Sequence, residues 1–168
     1  MSLLESITTV FSPADDAISL LKADHRTVDG LFKEFEDARQ STQKIRIASA
    51  ICWELTVHAT IEEEILYPRA LAALKEDDAD MLWEATVEHG TLKGLIDALG
   101  GMRADDPSFD AHVKVLQEYV THHVREEENE MLPKLRASGL DLQAIGEELK
   151  ARKDALNRES RAATRKAA

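Results

Sequence analysis

Two stretches hold the residues best suited to chemistry. The first is His58-Ala59-Thr60-Ile61-Glu62-Glu63-Glu64-Ile65-Leu66-Tyr67-Pro68. The second, 65 residues on, is His123-Val124-Arg125-Glu126-Glu127-Glu128-Asn129-Glu130-Met131-Leu132-Pro133. Each contains His-x3-Glu. On a helix, positions i and i+4 share a face one turn apart, so an imidazole nitrogen and a carboxylate oxygen point the same way. That mixed donor set suits iron, and manganese or zinc less well. A second pair repeats at almost the same offset. Asp24-His25-Arg26-Thr27-Val28-Asp29-Gly30-Leu31 resembles Glu88-His89-Gly90-Thr91-Leu92-Lys93-Gly94-Leu95. The chain is therefore written twice: a lone histidine, then His-x3-Glu.

Positioning these groups requires long helices. His25 and His58 are 33 residues apart, and His89 and His123 are 34 apart. Each gap holds the rest of one helix, a turn and most of a returning helix. Apolar residues recur every three or four positions around every candidate. The stripes are Ile18, Leu21, His25, Val28 and Phe32; Ile47, Ile51, Leu55, His58, Ile61, Glu62 and Ile65; Leu82, Ala85, His89, Leu92 and Ile96; and Val113, Leu116, Val120, His123, Glu127 and Met131. Ser12-Pro13-Ala14-Asp15 predicts the first helix start, and that helix runs to about Ala38. Ser41-Thr42-Gln43 predicts a turn. Pro68 predicts a kink or an end. Asp77-Asp78 opens the third helix and Gly100-Gly101 stops it. Asp106-Pro107-Ser108 starts the fourth and Ser138-Gly139 breaks it. Asp141 caps a fifth, from about Leu142 to Arg158, followed by a fraying basic tail.

The expected fold is all-α, an up-down-up-down four-helix bundle. Its divisions are an arm at 1–12 (mildly apolar, able to pack on the domain or on a second subunit), the bundle at 13–137, and a C-terminal helix with basic tail at 138–168. At about 1.5 Å per residue, all four histidines fall within about a turn of one level.

Composition narrows the function. The 168 residues suffice for one domain, and 32% of them are charged, with 7 Gly and 4 Pro, which favours long helices. A net charge of −11 argues against general nucleic-acid binding. Cys52 is the single cysteine, so there is no internal disulfide and no cysteine-based zinc site. No apolar run reaches a membrane span, and the first residues lack signal-peptide character. A cytoplasmic protein with no membrane partner is expected.

A single histidine on an apolar face is more often a hydrogen-bonded core residue than a ligand. Four at one depth, with two carboxylates at i+4, favour metal, because bare buried anions are costly. Glu63, Glu64, Glu126 and Glu128 are assigned to water or to partners behind the ligands. His122-x3-Glu126 is a rival register whose stripe would carry Lys114, Glu118 and Asn129. His112 lies about 16 Å from His123 by helical rise and reads as a bundle-end residue. If Glu62 and Glu127 each bridge, two metals share four carboxylate oxygens and four histidine nitrogens. A shared oxo or hydroxo group adds one donor, and an octahedral ion keeps a further position open for a small ligand.

The two motifs, His-x3-Glu-Glu followed by Leu-Tyr-Pro or Met-Leu-Pro with a lone histidine ahead of each, resemble the hemerythrin-like proteins, the HHE cation-binding domain family. The resemblance covers about residues 14–135. It implies a non-haem di-iron centre in a four-helix bundle, held by His25, His58, Glu62, His89, His123 and Glu127. Oxygen-carrying hemerythrins add a fifth histidine through His-x3-His on the third helix and end with His-x4-Asp. Here Ala85 and Lys93 stand four residues either side of His89, and the fourth helix reads His-x3-Glu. The six-ligand pattern is similar to the subgroup containing iron–sulfur repair proteins and mycobacterial hemerythrin-like proteins linked to peroxide or nitric oxide chemistry. Repair proteins usually carry a cysteine-bearing N-terminal extension; the arm here has none.

Two readings stand. One is a di-iron protein that binds or reacts with O2, peroxide or nitric oxide. The other is a non-enzymatic iron-binding or sensing module, or an iron donor for iron–sulfur repair. A homodimer is the candidate assembly, and the sequence names no electron donor. The repeat also places Glu54 one turn before His58 and Tyr119 one turn before His123. If both line the open position, Glu54 moves protons or adds a ligand, and Tyr119 donates a hydrogen bond to a bound oxygen species.

Overall fold

The computed structural model describes residues 16–167, apart from the side chains of Asp77 and Ala167. The apolar stripes become helices α1 (Ala17–Asp37), α2 (Ser41–Ile61), α3 (Tyr67–Ala73), α4 (Glu76–Gly100), α5 (Phe109–Glu126), α6 (Leu132–Ala137) and α7 (Leu142–Ala167). A π-helical segment, Glu62–Leu66, joins α2 to α3, and a second, Glu127–Met131, joins α5 to α6. The four rods are thus α1, α2 through α3, α4, and α5 through α6. The fifth helix, α7, lies against α1, α2 and the first π segment.

Several boundaries differ from expectation. α1 begins at Ala17 beneath Asp16, whose carboxylate accepts from the Ser19 N–H at 2.8 Å. A short acid at the cap position satisfies an orphan amide of the first turn. Ser12, Pro13, Ala14 and Asp15, and the whole arm at 1–12, lie outside the described residues. Ser41, Thr42 and Gln43 are not the turn but the first turn of α2. The reversal occurs at Ala38–Gln40, where Ala38 and Gln40 are extended and the Ala38 N–H closes onto the carbonyls of Glu34 and Phe35. α7 does not fray near Arg158 but continues to Ala167. Its end is rich in strong helix formers, with Arg165 and Lys166 in the last turn against the helix dipole. Gly139, at φ 79°, takes the left-handed turn between α6 and α7. Asp141 then caps α7 through the Ala144 N–H at 3.0 Å.

Pro68 does not end its helix. Without an N–H it cannot bond the Glu64 carbonyl four residues back, and the widened π turn absorbs the mismatch. The Tyr67 N–H bonds five residues back to the Glu62 carbonyl, and the Leu132 N–H bonds likewise to Glu127. Both copies of the motif carry proline six residues after the glutamate, so both make the same turn. π turns inside α-helices are frequent at functional sites.

Two apolar clusters fill the bundle. One gathers Leu21, Ile61, Leu66, Leu132, Ile145 and Leu149. The other, at the opposite end, gathers Phe32, Phe35, Ile51, Leu99, Phe109 and Leu116. Along every rod the histidine falls between them. The layer between holds His25, His58, His89, His123, Glu62 and Glu127, none more than 7% exposed.

Candidate metal centre

All six residues expected as ligands converge in that layer. His25 Nε2 lies 3.3 Å from His58 Nε2, and His89 Nε2 lies 3.1 Å from His123 Nε2. Glu62 Oε2 is 3.3 Å from His58 Nε2 and 3.4 Å from His89 Nε2. Glu127 Oε2 is 3.1 Å from His25 Nε2 and 3.7 Å from His123 Nε2. Each glutamate thus meets a histidine from its own rod and one from the opposite half. Ligand atoms of His58, Glu62, His123 and Glu127 all lie within 4.8 Å of one another.

The outer face of each imidazole meets a second carboxylate. His25 Nδ1 donates to Glu128 at 2.8 Å, His89 Nδ1 to Glu63 at 3.0 Å and His123 Nδ1 to Glu88 at 2.7 Å. His58 Nδ1 faces Asp24 at 3.7 Å, beyond hydrogen-bond range, while Asp24 is held by Lys153 of α7 at 2.6 Å. Such carboxylates fix the ring and leave the inner nitrogen bare. This follows the repeat: Asp24 and Glu88 precede the lone histidines, and Glu63 and Glu128 follow the inner glutamates. The doubled acids were visible in the sequence, but their role needed the bundle.

The centre fits a metal on its own geometry. His89 and His123 both donate outward, so two Nε2 lone pairs face each other at 3.1 Å. Among the described residues, buried Glu62 Oε1 and Glu127 Oε2 accept no hydrogen bond. Bound cations would answer that arrangement of bare donors.

Electrostatics agree. Burial and the neighbouring Glu127 push Glu62 well above the usual carboxylate range. Burial opposes charge on Glu127 too, but the imidazoles of His25 and His58 hold it well below. Two carboxylates sharing one dry site cannot both ionise cheaply without added positive charge. Burial lowers His58, yet Glu62, Asp24 and Glu127 outweigh it and raise it well above the ordinary value. Burial and His123 push His89 down to about 4, so its nitrogen stays free near neutrality.

Tyr119 and Glu54 are not at the centre, and the expectation for them is corrected. Tyr119 is 39% exposed in an outer groove beside Val87, Val115 and His122. Glu54 faces α7, 3.5 Å from Lys153. The residues three before each histidine, Leu55 and Val120, take the inner positions, and those four before rotate outward.

The phenol that does reach the centre is Tyr67, 4% exposed. Its hydroxyl is 3.4 Å from Glu62 Oε2 and 3.5 Å from both Glu127 Oε1 and His89 Nε2. Burial, Glu62 and Glu127 push its pKa well above the ordinary value, so it remains an O–H donor. Its sequence signal was the alignment of Tyr67 with Leu132. His112 stays apart and bonds the Ser108 carbonyl at the start of α5.

Residues 16–135 match the family model described as the hemerythrin HHE cation binding domain. The chain is a member of that family. A DNA nickase of Nostoc sp. is 30% identical over 117 residues, 70% of this chain and 32% of that protein. A hemerythrin-like protein of Schizosaccharomyces pombe is 27% identical over 110 residues, 66% of this chain and 54% of that protein. The chain thus spans a third to a half of these relatives. The crystal structure of a hemerythrin HHE cation binding domain-containing protein from Mycobacterium kansasii superposes with a TM-score of 0.76 at 23% identity. That match covers 89% of this chain and 92% of the other, and establishes a shared fold. Among the described residues of this hemerythrin-like domain, no helix is long and apolar enough to cross a membrane.

Proposed function

We propose that this cation-binding domain holds two iron ions and binds or reacts with a small oxidant, O2, peroxide or nitric oxide. The observation that carries the reading is the His89–His123 pair, with two bare nitrogens 3.1 Å apart beside buried carboxylates. Its pseudo-twofold mate, His25 and His58, supplies the second set of donors. Nitrogen and oxygen donors in equal measure favour iron over softer-site metals. Bound iron would supply a change of redox state and an open coordination position.

The chain's own residues set the conditions around that chemistry. Glu63, Glu88 and Glu128 orient three imidazoles by hydrogen bonds. The two apolar clusters exclude water above and below the layer. Tyr67 Oη holds a proton within reach of both inner carboxylates, a preorganised donor where negative charge would develop. The Nostoc relative's nickase activity belongs to a protein about three times the length of the matched stretch, and the net charge of −11 weighs against carrying it over.

Elemental analysis after anaerobic iron loading tests the reading. We expect about two ions per chain, the number the donor set can serve; no more than one would remove the di-iron claim. Peroxide turnover by the loaded protein then separates a reactive centre from a sensing module, which would hold the iron without turnover.

A further inference from the structure

At the α4/α5 edge of the centre lies a cavity of about 60 Å³ whose polar lining is Glu84, Glu88, Glu126, Glu130, His123 and Glu127, with two methionines and an alanine completing the wall. That volume holds a few waters or one partly dehydrated ion. Four acids surround it, and its innermost carboxylate, Glu127, is 1% exposed with an Oε2 that accepts no hydrogen bond among the described residues. His122 stands beside it, with Nε2 3.2 Å from Glu126 Oε1 and 3.5 Å from Glu88 Oε1. Glu88 uses its other oxygen on His123 Nδ1 at 2.7 Å. One carboxylate therefore touches both the outer cluster and a ligand of the centre. Ligand atoms of Glu88, His122 and Glu126 lie close enough together to hold one ion.

The other half of the repeat has no such cluster. The counterparts of Glu84, His122, Glu126 and Glu130 are Leu20, Val57, Ile61 and Ile65. Val57 and Ile61 are buried, and Leu20 and Ile65 pack into the cluster containing Ile145 and Leu149 of α7. One side of the centre is thus sealed with hydrocarbon and the other is lined with acid.

We propose that Glu84, Glu88, His122, Glu126 and Glu130 form a capture site for a divalent cation, iron(II) in this protein, which passes it inward to Glu127 and His123. The proposal rests on the di-iron reading above. Clustered negative charge raises the local cation concentration and speeds encounter. Carboxylate oxygens replace the water an ion sheds on entering so small a space. Glu84, His122 and Glu130 are exposed and Glu88 and Glu126 half-buried, so the outer groups hold the ion weakly while the dry inner set holds it tightly, and transfer runs inward.

The test is anaerobic loading of metal-free protein with iron(II), scored as protein-bound iron after rapid gel filtration at set times. In the double variant Glu126→Gln/Glu130→Gln, and separately in His122→Ala, loading should slow about tenfold, and added salt should slow the wild type more than the variants. Final iron per chain and the melting temperature of the metal-free protein should not change. Glu64→Gln/Glu148→Gln removes the same charge from the α7 side and should load at the wild-type rate. Loading of the capture variants within about twofold of wild type, equal slowing by the α7-side control, or a lower final iron content would each overturn the capture site. A wild type that binds no iron would overturn the di-iron reading and the capture site with it.

Discussion

Behind His58, in the α1/α2 half, Asp24 is drawn toward Lys153 of α7 at 2.6 Å and stands 3.7 Å from the ring. Behind His123, in the α4/α5 half, the equivalent Glu88 accepts from the ring at 2.7 Å and meets exposed His122 on its other side. The inner residues of the two halves are the same types in the same registers. The difference lies in what covers them. α7 packs chiefly on α1, α2 and the first π segment, and it brings a cation to the outer carboxylate there. Duplication therefore explains the inner donor set, and the fifth helix explains why its two ends are inequivalent.

The largest effect should come from removing an inner ligand from either half. His58→Ala and His123→Ala should each weaken iron binding by more than the 10- to 100-fold typical of an outer-shell change. Each should also remove the melting-temperature gain that iron provides, because binding to the native state stabilises by mass action. Iron titration followed by melting measures both. If one of the two variants still holds about two ions with unchanged affinity, the halves are not equivalent at the inner shell and the comparison fails at its base.

Next is the helix that breaks the symmetry. Leu149 is fully buried, in one cluster with Leu21, Ile61 and Leu132. Leu149→Ala should cost about 2–5 kcal/mol, as large-to-small changes in a packed core do. Urea unfolding should show it as one cooperative transition shifted to lower denaturant. A separate early transition for α7 would mean that the sealed half is closed by a loosely docked element.

Much of this was legible in advance. Period and proline placement predicted four rods, and the inward stripes hold from Ile18 to Met131, with Ile65 and Ile96 only half-buried at their edges. The six residues of the central layer were readable because burial, depth and repeat all pointed to them. The outer carboxylates were harder. Glu63 and Glu128 sit beside the inner acids in the chain but reach histidines 26 and 103 residues away, so their role depends on how the rods meet. The part played by Lys153 was not legible, because the bundle pattern says nothing of where a fifth helix docks. Tyr119 was placed at the centre by counting one helical turn back from the histidine, whereas the phenol that reaches it, Tyr67, is carried forward of the glutamate by the π turn.

A middle-sized effect separates the outer shells. Asp24→Asn and Glu88→Gln should each lower iron affinity about 10- to 100-fold. They should differ in stability, since Asp24→Asn takes from half-buried Lys153 its 2.6 Å ion pair and leaves it Glu54 at 3.5 Å, while Glu88→Gln leaves exposed His122 still paired with Glu126 at 3.2 Å. Metal-free Asp24→Asn should therefore melt lower than metal-free Glu88→Gln. Equal melting temperatures would show that Lys153 is solvated well enough to lose Asp24 freely.

The smallest structural effect and the sharpest functional one belong to Tyr67. Leu132 takes its place in the second motif, so the repeat does not duplicate this hydroxyl beside the inner carboxylates. Its contacts, at 3.4 to 3.5 Å, are long for hydrogen bonds, so deleting the oxygen should cost no more than about 1 kcal/mol in the metal-free protein. Phenylalanine fills the same space, and both ions should remain. What changes is the proton held beside the centre. Tyr67→Phe should slow reaction with peroxide or weaken nitric oxide binding, while Tyr119→Phe, altered only in an exposed groove, should match wild type in both. The two variants make a matched pair, one hydroxyl removed inside the layer and one outside it. Unchanged peroxide and nitric oxide kinetics in fully loaded Tyr67→Phe would leave the phenol a packing role only, and the inequivalence of the two halves would then rest on α7 and the acidic edge alone.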